Sequence, residues 1–218
     1  VNSLSALGRS KESAEKLSEI LVEFPHSREI RILLIDCLIE AGEIAEAEKT
    51  VVRLVEMEPA NYPKFLELAN IYLDRDDVAS TTRILSMSAE HMLVGGQAEQ
   101  FSALVSSILQ KDPDQLDALR LQARYCSWQR DEEALCSSLA KLTQVARDAG
   151  SVEDERYALL QLTMLVPHDT GYADRLREIN AEYGFEGTES EDNLFDKRFL
   201  KSGPADSNGA AADVGTAT

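Results

Sequence analysis

This sequence has little positive charge for its size. Its 218 residues include 22 Lys and Arg against 39 Asp and Glu, so the formal net charge is −17 at pH 7. Nucleic-acid binders generally concentrate Lys and Arg, and an excess of negative charge repels phosphate backbones and anionic membrane surfaces. The composition therefore argues against nucleic acid as a partner.

Cysteine and long apolar runs are also scarce. The cysteines are odd in number, include no CxxC pair and lie in apolar helical stretches: Cys37, Cys126 and Cys136. We expect buried, reduced thiols that act as small hydrophobic residues, in a reducing compartment such as the cytoplasm. The sequence has no run of about 18 apolar residues, which predicts no membrane insertion in this segment.

Groups that carry out chemistry are few. The histidines are His26, His91 and His168, and no Ser or Cys has a His partner at a motif spacing. The cluster 74–77 lacks the glycine and the twelfth-position glutamate of a calcium loop. A Gly-rich phosphate-binding loop normally follows a β-strand. The sequence predicts no strand, so it offers no such loop. We expect a non-catalytic protein with no cofactor and no metal site.

What the sequence does contain is a regular spacing of glycine and proline. The two residues stand 17 positions apart in four intervals, which are Gly8 to Pro25, Gly42 to Pro59, Gly96 to Pro113 and Gly150 to Pro167. A glycine fits the left-handed turn that ends a helix, and a proline stops the next helix. The chain is therefore predicted to be an array of helices. Because the first interval has no helix before it, we also expect that sequence upstream of Val1 is missing.

Apolar residues recur at helical spacing between these glycines and prolines. The pattern predicts helices near residues 61–74, 77–93, 97–111, 115–129, 131–148 and 152–165, and a capping helix near 170–183. Helix N-caps are expected at Ser10, Ser27, Asn61, Asp114, Asp131, and Ser151 with Asp154 as a capping box. We predict an all-α protein, with a repeat domain over residues 1–183 and a disordered acidic tail over 184–218.

One part of the sequence reproduces a known repeat pattern. It begins with a turn at Gly42, which is followed by a helix that contains Ala47 and ends before Pro59. The helix after that carries Leu68-Ala69-x-x-Tyr72. The chain resembles tetratricopeptide repeats, whose 34-residue helix-turn-helix unit carries these residues, although the Trp-x-x-Leu-Gly start is missing. The resemblance covers residues 8 to 167. It implies an α-solenoid of antiparallel helix pairs, a right-handed superhelix and a concave groove lined by the A helices. Another family of helical repeats stays open.

The repeat spacing changes along the chain. Pro25 and Pro59 are 34 residues apart, but Pro59, Pro113 and Pro167 follow one another at 54 residues. The 20 extra residues are enough for one additional helix and its turn. We therefore predict two three-helix units, in each of which the middle helix packs against both neighbours.

A row of side chains on the predicted helix 115–129 is the sharpest candidate for a binding site. The core stripe of this helix consists of Leu116, Leu119, Ala123 and Cys126. At about 100° per residue, Asp117, Arg124 and Trp128 lie about opposite this stripe, with Arg120 beside them. Arg and Trp are enriched at interface hot spots. The alternative is that Trp128 packs against a neighbouring helix while the arginines pair with surface acids.

The resemblance implies further groove-facing positions. They are Glu29, Ile32, Asp36, Ile39 and Glu40 on one helix and Leu66, Asn70, Leu73 and Asp74 on another. Among these, Asn70 alone suits the family's carboxylate clamp, so we do not predict that clamp. An amphipathic helix or extended peptide with basic flanks fits this mixed acidic and apolar set better.

These observations favour a non-catalytic scaffold or adaptor that binds a peptide or helix of a protein partner. The alternative is a regulatory or oligomerisation domain of a larger enzyme or of a secretion or assembly component, and self-association stays open. In the tail, we interpret the apolar and charged island 194–200 as residual helix or junction sequence. The alternative is a linear motif that folds on a partner or back onto the groove of the array itself.

Overall fold

A computed structural model gives the structure of residues 2–185, with side chains described from residue 9 onward. The predicted tail, including the island 194–200, lies outside the described residues apart from its first two positions. The described chain forms ten α-helices and one short 3-10 turn and contains no strand, which confirms the all-α prediction. None of the helices in this part of the chain is both long and apolar enough to cross a membrane.

The helices follow the predicted order closely. Their bounds are α1 Asn2–Glu23, α2 Arg28–Glu40, α3 Ile44–Met57, the 3-10 turn Pro59–Asn61, α4 Pro63–Asp74, α5 Val78–Val94, α6 Ala98–Lys111, α7 Leu116–Gln129, α8 Glu132–Ala149, α9 Val152–Leu165 and α10 Thr170–Tyr183. From α4 onward, every predicted helix is found within two residues of its expected ends.

The glycine spacing predicts most of the turns correctly. Gly42, Gly96 and Gly150 all have positive φ, a conformation that glycine adopts without the steric cost of a Cβ atom. The turn predicted at Gly8 is wrong, because this residue lies inside α1. A single glycine in a helix interior costs only about 1 kcal/mol, and no proline interrupts α1.

The predicted helix caps are confirmed in part. The side chains of Ser27 and Asp131 accept hydrogen bonds from backbone amides in the first turns of α2 and α8. Ser151 is the N-cap of α9, but its hydroxyl donates to Asp154 at 2.7 Å and makes no capping bond.

The other predicted caps are wrong. Ser10 lies inside α1, and Asn61 closes the 3-10 turn, where its side chain bonds Arg28 and Glu58. Gln115 caps α7 in place of the expected Asp114. The first backbone amides of a helix require an acceptor, and any neighbouring side chain of suitable length can supply it. At α7 this is Gln115, one position after the expected residue.

The chain forms two compact units, Val1–Met92 and Leu93–Thr218, here called the N-terminal and C-terminal units. In the N-terminal unit α1 packs against α2, α2 against α3, and α3 against the 3-10 turn and α4. In the C-terminal unit each helix from α6 to α10 packs against the next. As predicted, α8 is a middle helix that contacts both α7 and α9. Adjacent helices are thus packed together from α1 to α4 and from α6 to α10, as an α-solenoid requires.

The three cysteines are free thiols, but only one of them is buried as predicted. Cys126 belongs to the core of the C-terminal unit, whereas Cys37 and Cys136 are partly exposed. Desolvation raises the pKa of all three thiols.

Candidate partner-binding surfaces

The predicted groove positions of the N-terminal unit lie on α2 and α4 and are here called the α2/α4 strip. The strip consists of Glu29, Ile32, Asp36, Ile39, Glu40, Leu66, Asn70, Leu73 and Asp74. Each of these residues is at least partly exposed. Other positions on the two helices are buried, among them Leu34 and Ile35 on α2 and Leu68 and Ala69 on α4. The strip therefore belongs to the surface of both helices that remains accessible to a partner.

An ion pair joins the two helices of the α2/α4 strip. Lys64 Nζ on α4 donates to Asp36 Oδ1 on α2 at 2.7 Å and to Glu67 Oε2 at 2.8 Å. Burial opposes the charge on Lys64, but the two carboxylates outweigh that effect and raise its pKa. Lys64 was not among the sequence candidates. Lys64 lies in the first turn of α4, where the helix macrodipole favours an acid. A lysine at such a position is the sequence feature that could have identified it.

The α2/α4 strip combines negative charge with apolar surface. Glu29, Glu40 and Asp74 are exposed, while Ile32 and Leu66 are half-buried. The amide nitrogen of Asn70 donates to the carbonyl of Leu66 within α4, at 2.8 Å. A surface with these properties complements a segment that carries basic and apolar side chains.

The second predicted set lies on α7 in the C-terminal unit and is here called the α7 row, Asp117, Arg120, Arg124 and Trp128. Asp117 and Arg120 are exposed and form an ion pair at 2.9 Å, and Arg120 also bonds Asp154 on α9. Arg124 is half-buried. Trp128 is only 9% exposed, and its Nε1 is buried with no acceptor among the described residues. The row thus runs from exposed charge to a buried indole.

The burial of Trp128 has a structural reason. Residues of the predicted stripe, such as Leu119 and Cys126, do lie in the core, but Ala118 and Leu121 are buried as well. Because α7 packs against both α6 and α8, more than one of its faces is covered. The packing of Trp128 and the pairing of Arg120 match the alternative interpretation of this row. A role of the α7 row in partner binding stays a prediction.

Two buried acids at the start of α9 form the densest charge network of the C-terminal unit. Glu155 Oε1 accepts hydrogen bonds from Arg147 Nε at 2.8 Å and from Arg175 Nε at 2.9 Å. Burial would raise the pKa of Glu155, but the two arginines outweigh it and hold the pKa below 4.5. Asp154 is bonded by Arg120 and Ser151. The network links α7, α8, α9 and α10, and the sequence patterns did not predict it.

A charge network in the N-terminal unit is centred on Glu48. Arg83 Nη2 and the Tyr72 hydroxyl each donate to Glu48 Oε2 at 2.8 Å. The bond from Arg83 is the main cause of a lowered pKa at Glu48. Burial and the Glu48 contact raise the pKa of Tyr72 to about 12. The described residues contain no cluster of metal-ligating side chains, and these ion pairs join neighbouring helices.

Comparison with known proteins identifies the repeat. Residues 4–71, which span most of α1 to α4, match the family model of the tetratricopeptide repeat. This match confirms the resemblance within residues 4–71. Repeats of this family generally mediate protein–protein interactions, which implies protein partners, and they are typically non-catalytic modules. A search of curated proteins found no match for the chain.

Proposed function

Because residues 4–71 match the tetratricopeptide repeat, we propose that this protein is a non-catalytic scaffold or adaptor. In this proposal it binds a peptide or helix of a partner protein along the α2/α4 strip. The observation that carries the proposal is the strip itself, a set of partly exposed acidic and apolar side chains on two helices. The pairing of Lys64 with Asp36 supports it further, because it links the two helices that carry the strip.

The composition of the strip defines the class of partner. Exposed carboxylates attract cations, while half-buried Ile32 and Leu66 gain stability when apolar side chains cover them. An amphipathic helix with basic flanks offers both kinds of group at spacings of three and four residues. Binding should weaken with added salt, because the exposed charges are screened over about 8 Å at physiological ionic strength.

Affinity capture from a native lysate followed by mass spectrometry tests the proposal. The variant Ile32→Ser/Leu66→Ser removes apolar surface from the strip, and we expect at least a tenfold loss of the proteins that the unchanged chain captures. Leu33→Ser is the matched control, since Leu33 is a 54% exposed leucine on α2 that lies outside the strip. Equal capture by all three proteins would contradict the proposal. Symmetric self-association without capture would favour the oligomerisation alternative.

We propose that the charged part of the α7 row, Asp117, Arg120 and Arg124, provides a second contact surface in the C-terminal unit. Because Trp128 is buried, Trp128→Ala is expected to cost about 3–5 kcal/mol of stability and does not report on binding alone. Arg124→Glu is the sharper variant. We expect it to reduce capture, whereas Arg177→Glu on α10, where Arg177 is 74% exposed, should not. Equal capture by the two variants would remove the α7 row from the binding surface.

A further inference from the structure

Arg31 on α2 is a buried cation whose hydrogen-bonding capacity is only partly used. Its side chain is 6% exposed, and Nη2 donates to the carbonyl of Pro25 at 2.6 Å. Its Nε is buried and finds no acceptor among the described residues, and no carboxylate there pairs with the guanidinium. A buried charge normally has an opposite partner, because desolvation without one is costly. Arg31 therefore has donors available for a group that is not part of the described chain.

A second arginine stands beside Arg31. Arg53 on α3 is exposed, and it forms no ion pair with an acid in the described part of the chain. Burial lowers the pKa of Arg31, and the positive charge of Arg53 lowers it further. Neither arginine forms an ion pair with a carboxylate of the described residues, although acids outnumber bases 39 to 22 in the whole sequence. Together they create a local positive potential on an otherwise acidic protein.

The two arginines line a cleft between α1, α2 and α3. The cleft has a volume of 340 Å³, and its apolar wall is formed by Leu21, Val22, Pro25 and Leu34. Val22 is 82% exposed and neighbouring Phe24 is 56% exposed, so apolar surface continues outside the opening. The cleft is large enough for a side chain and its neighbours, and it joins positive charge to apolar contact area.

The acids around the cleft do not neutralise the arginines. An adjoining cleft of 510 Å³ shares Leu21, Arg31 and Arg53 and is also lined by Glu46, Glu48 and Glu56. Glu46 is paired with Lys49, and Glu48 is paired with Arg83. Glu56 is exposed and makes no ion pair among the described residues. The described residues that line the 340 Å³ cleft itself include the two arginines and no carboxylate.

We propose that this cleft binds the carboxylate of an acidic residue that is flanked by apolar side chains in a partner protein. Guanidinium and carboxylate form charge-assisted hydrogen bonds in a planar, bidentate geometry. The apolar wall favours a carboxylate carried on a peptide over a free ion. The site goes beyond the α2/α4 strip, because it uses a different face of α2 and prefers the opposite charge.

The sequence contains a signal for this site. In Arg31-x-x-Leu34, an arginine occupies the place that tryptophan takes in the Trp-x-x-Leu-Gly start of a tetratricopeptide repeat. A position that is usually filled by a large apolar ring thus carries a charge on the buried stripe of α2, next to Leu34 and Ile35.

Titration of the isotope-labelled chain with short peptides, followed by NMR, tests the proposal. The probes are acetyl-Leu-Glu-Leu-amide, the matched acetyl-Leu-Gln-Leu-amide and inorganic phosphate. We expect the glutamate peptide to shift the Nε–Hε resonance of Arg31 and to bind at least tenfold more tightly than the glutamine peptide. Equal affinity of the two peptides would overturn the proposal. Phosphate that binds as tightly as the glutamate peptide would also overturn it, because the apolar flanks would then contribute nothing.

Variants locate the binding to the cleft. Arg53→Gln changes an exposed residue, so it should keep the melting temperature and weaken the glutamate peptide at least fivefold. Arg9→Gln removes the same charge from an exposed position on α1 outside the cleft and should leave affinity unchanged. Glu56→Gln should strengthen binding, because it removes a negative charge from the lining of the adjoining cleft. Equal affinities of the Arg53 and Arg9 variants would contradict the assignment.

Ile32→Ser/Leu66→Ser should bind the peptide normally, which separates this site from the α2/α4 strip.

Discussion

The two units of this protein treat buried charge in opposite ways. In the C-terminal unit, Asp154 and Glu155 are each 4% exposed, and every one of these carboxylates has an arginine partner. In the N-terminal unit, Arg31 is 6% exposed and has no carboxylate partner among the described residues. The fold thus pairs the buried carboxylates of the C-terminal unit with cations, but it leaves the buried guanidinium of Arg31 without an anion from the described part of the chain.

The buried charges of the two units also differ in how they suit their helices. Asp154 and Glu155 lie in the first turn of α9, where the helix macrodipole favours negative charge. Arg31 also lies in the first turn of its helix, α2, where the same dipole disfavours positive charge. The charges of the acidic pair are thus stabilised by their ion pairs and by the helix dipole. The charge of Arg31 has no ion pair among the described residues, and its helix dipole disfavours it. We infer that the first arrangement holds helices together and that the second is kept for a ligand.

The largest expected effect concerns the arginines around Glu155. The variant Arg147→Gln/Arg175→Gln should lower the free energy of unfolding by about 3 kcal/mol, because it leaves a buried carboxylate without its partners. Urea denaturation measures this change. Arg177→Gln is the control, since its ion pair with Asp174 is on the surface and should contribute less than about 0.5 kcal/mol. A double variant as stable as this control would show that the network does not hold the C-terminal unit together.

A smaller effect of opposite sign is expected at Arg31. Arg31→Met should raise the free energy of unfolding by about 1–2 kcal/mol, because methionine fills a similar space and removes a buried donor without an acceptor. Thermal and urea unfolding measure it, with Arg53→Gln as a variant that should change stability little. A loss of stability in Arg31→Met would contradict this difference between the two units, because Arg31 would then be a stabilising residue like those around Glu155.

The smallest effect is a dependence on pH. The folded-state pKa values of Glu155 and Glu48 are lowered from 4.5, so each carboxylate stabilises the fold fully above that value. This contribution is lost as the pH falls below about 4.5 through the folded-state pKa, with a slope of at most about 1.4 kcal/mol per pH unit for each group. Unfolding free energies measured over this range should fall less steeply for Glu155→Gln. Parallel curves for the variant and the unchanged chain would exclude Glu155 as a titrating contributor.

Local sequence features predicted the helices well. Glycines at positions 42, 96 and 150 were recognised as turns because left-handed backbone is a property of the residue itself. The same rule failed at Gly8, because a glycine inside a helix is tolerated when the residues on both sides continue the helix. The helix array and its order were therefore predictable, and the errors fall where a single residue has two acceptable conformations.

The candidate surfaces were less predictable, because burial depends on distant parts of the chain. Helical periodicity identified Leu119 and Cys126 as core residues of α7, but it could not show that α6 covers a second face. Trp128 is buried for that reason. Glu155 and Arg175 are 20 residues apart, and their pairing depends on how α9 and α10 pack. Such contacts need the folded structure.

The distribution of thiols gives the protein a practical property for spectroscopy. Cys37 on α2 and Cys136 on α8 are partly exposed, one in each unit, while Cys126 is buried. A maleimide dye or spin label should therefore attach selectively at these two positions after a single Cys126→Ser exchange. Because the thiol pKa values are raised, attachment should be faster in mildly alkaline buffer. Each unit would then carry its own reporter of ligand occupancy.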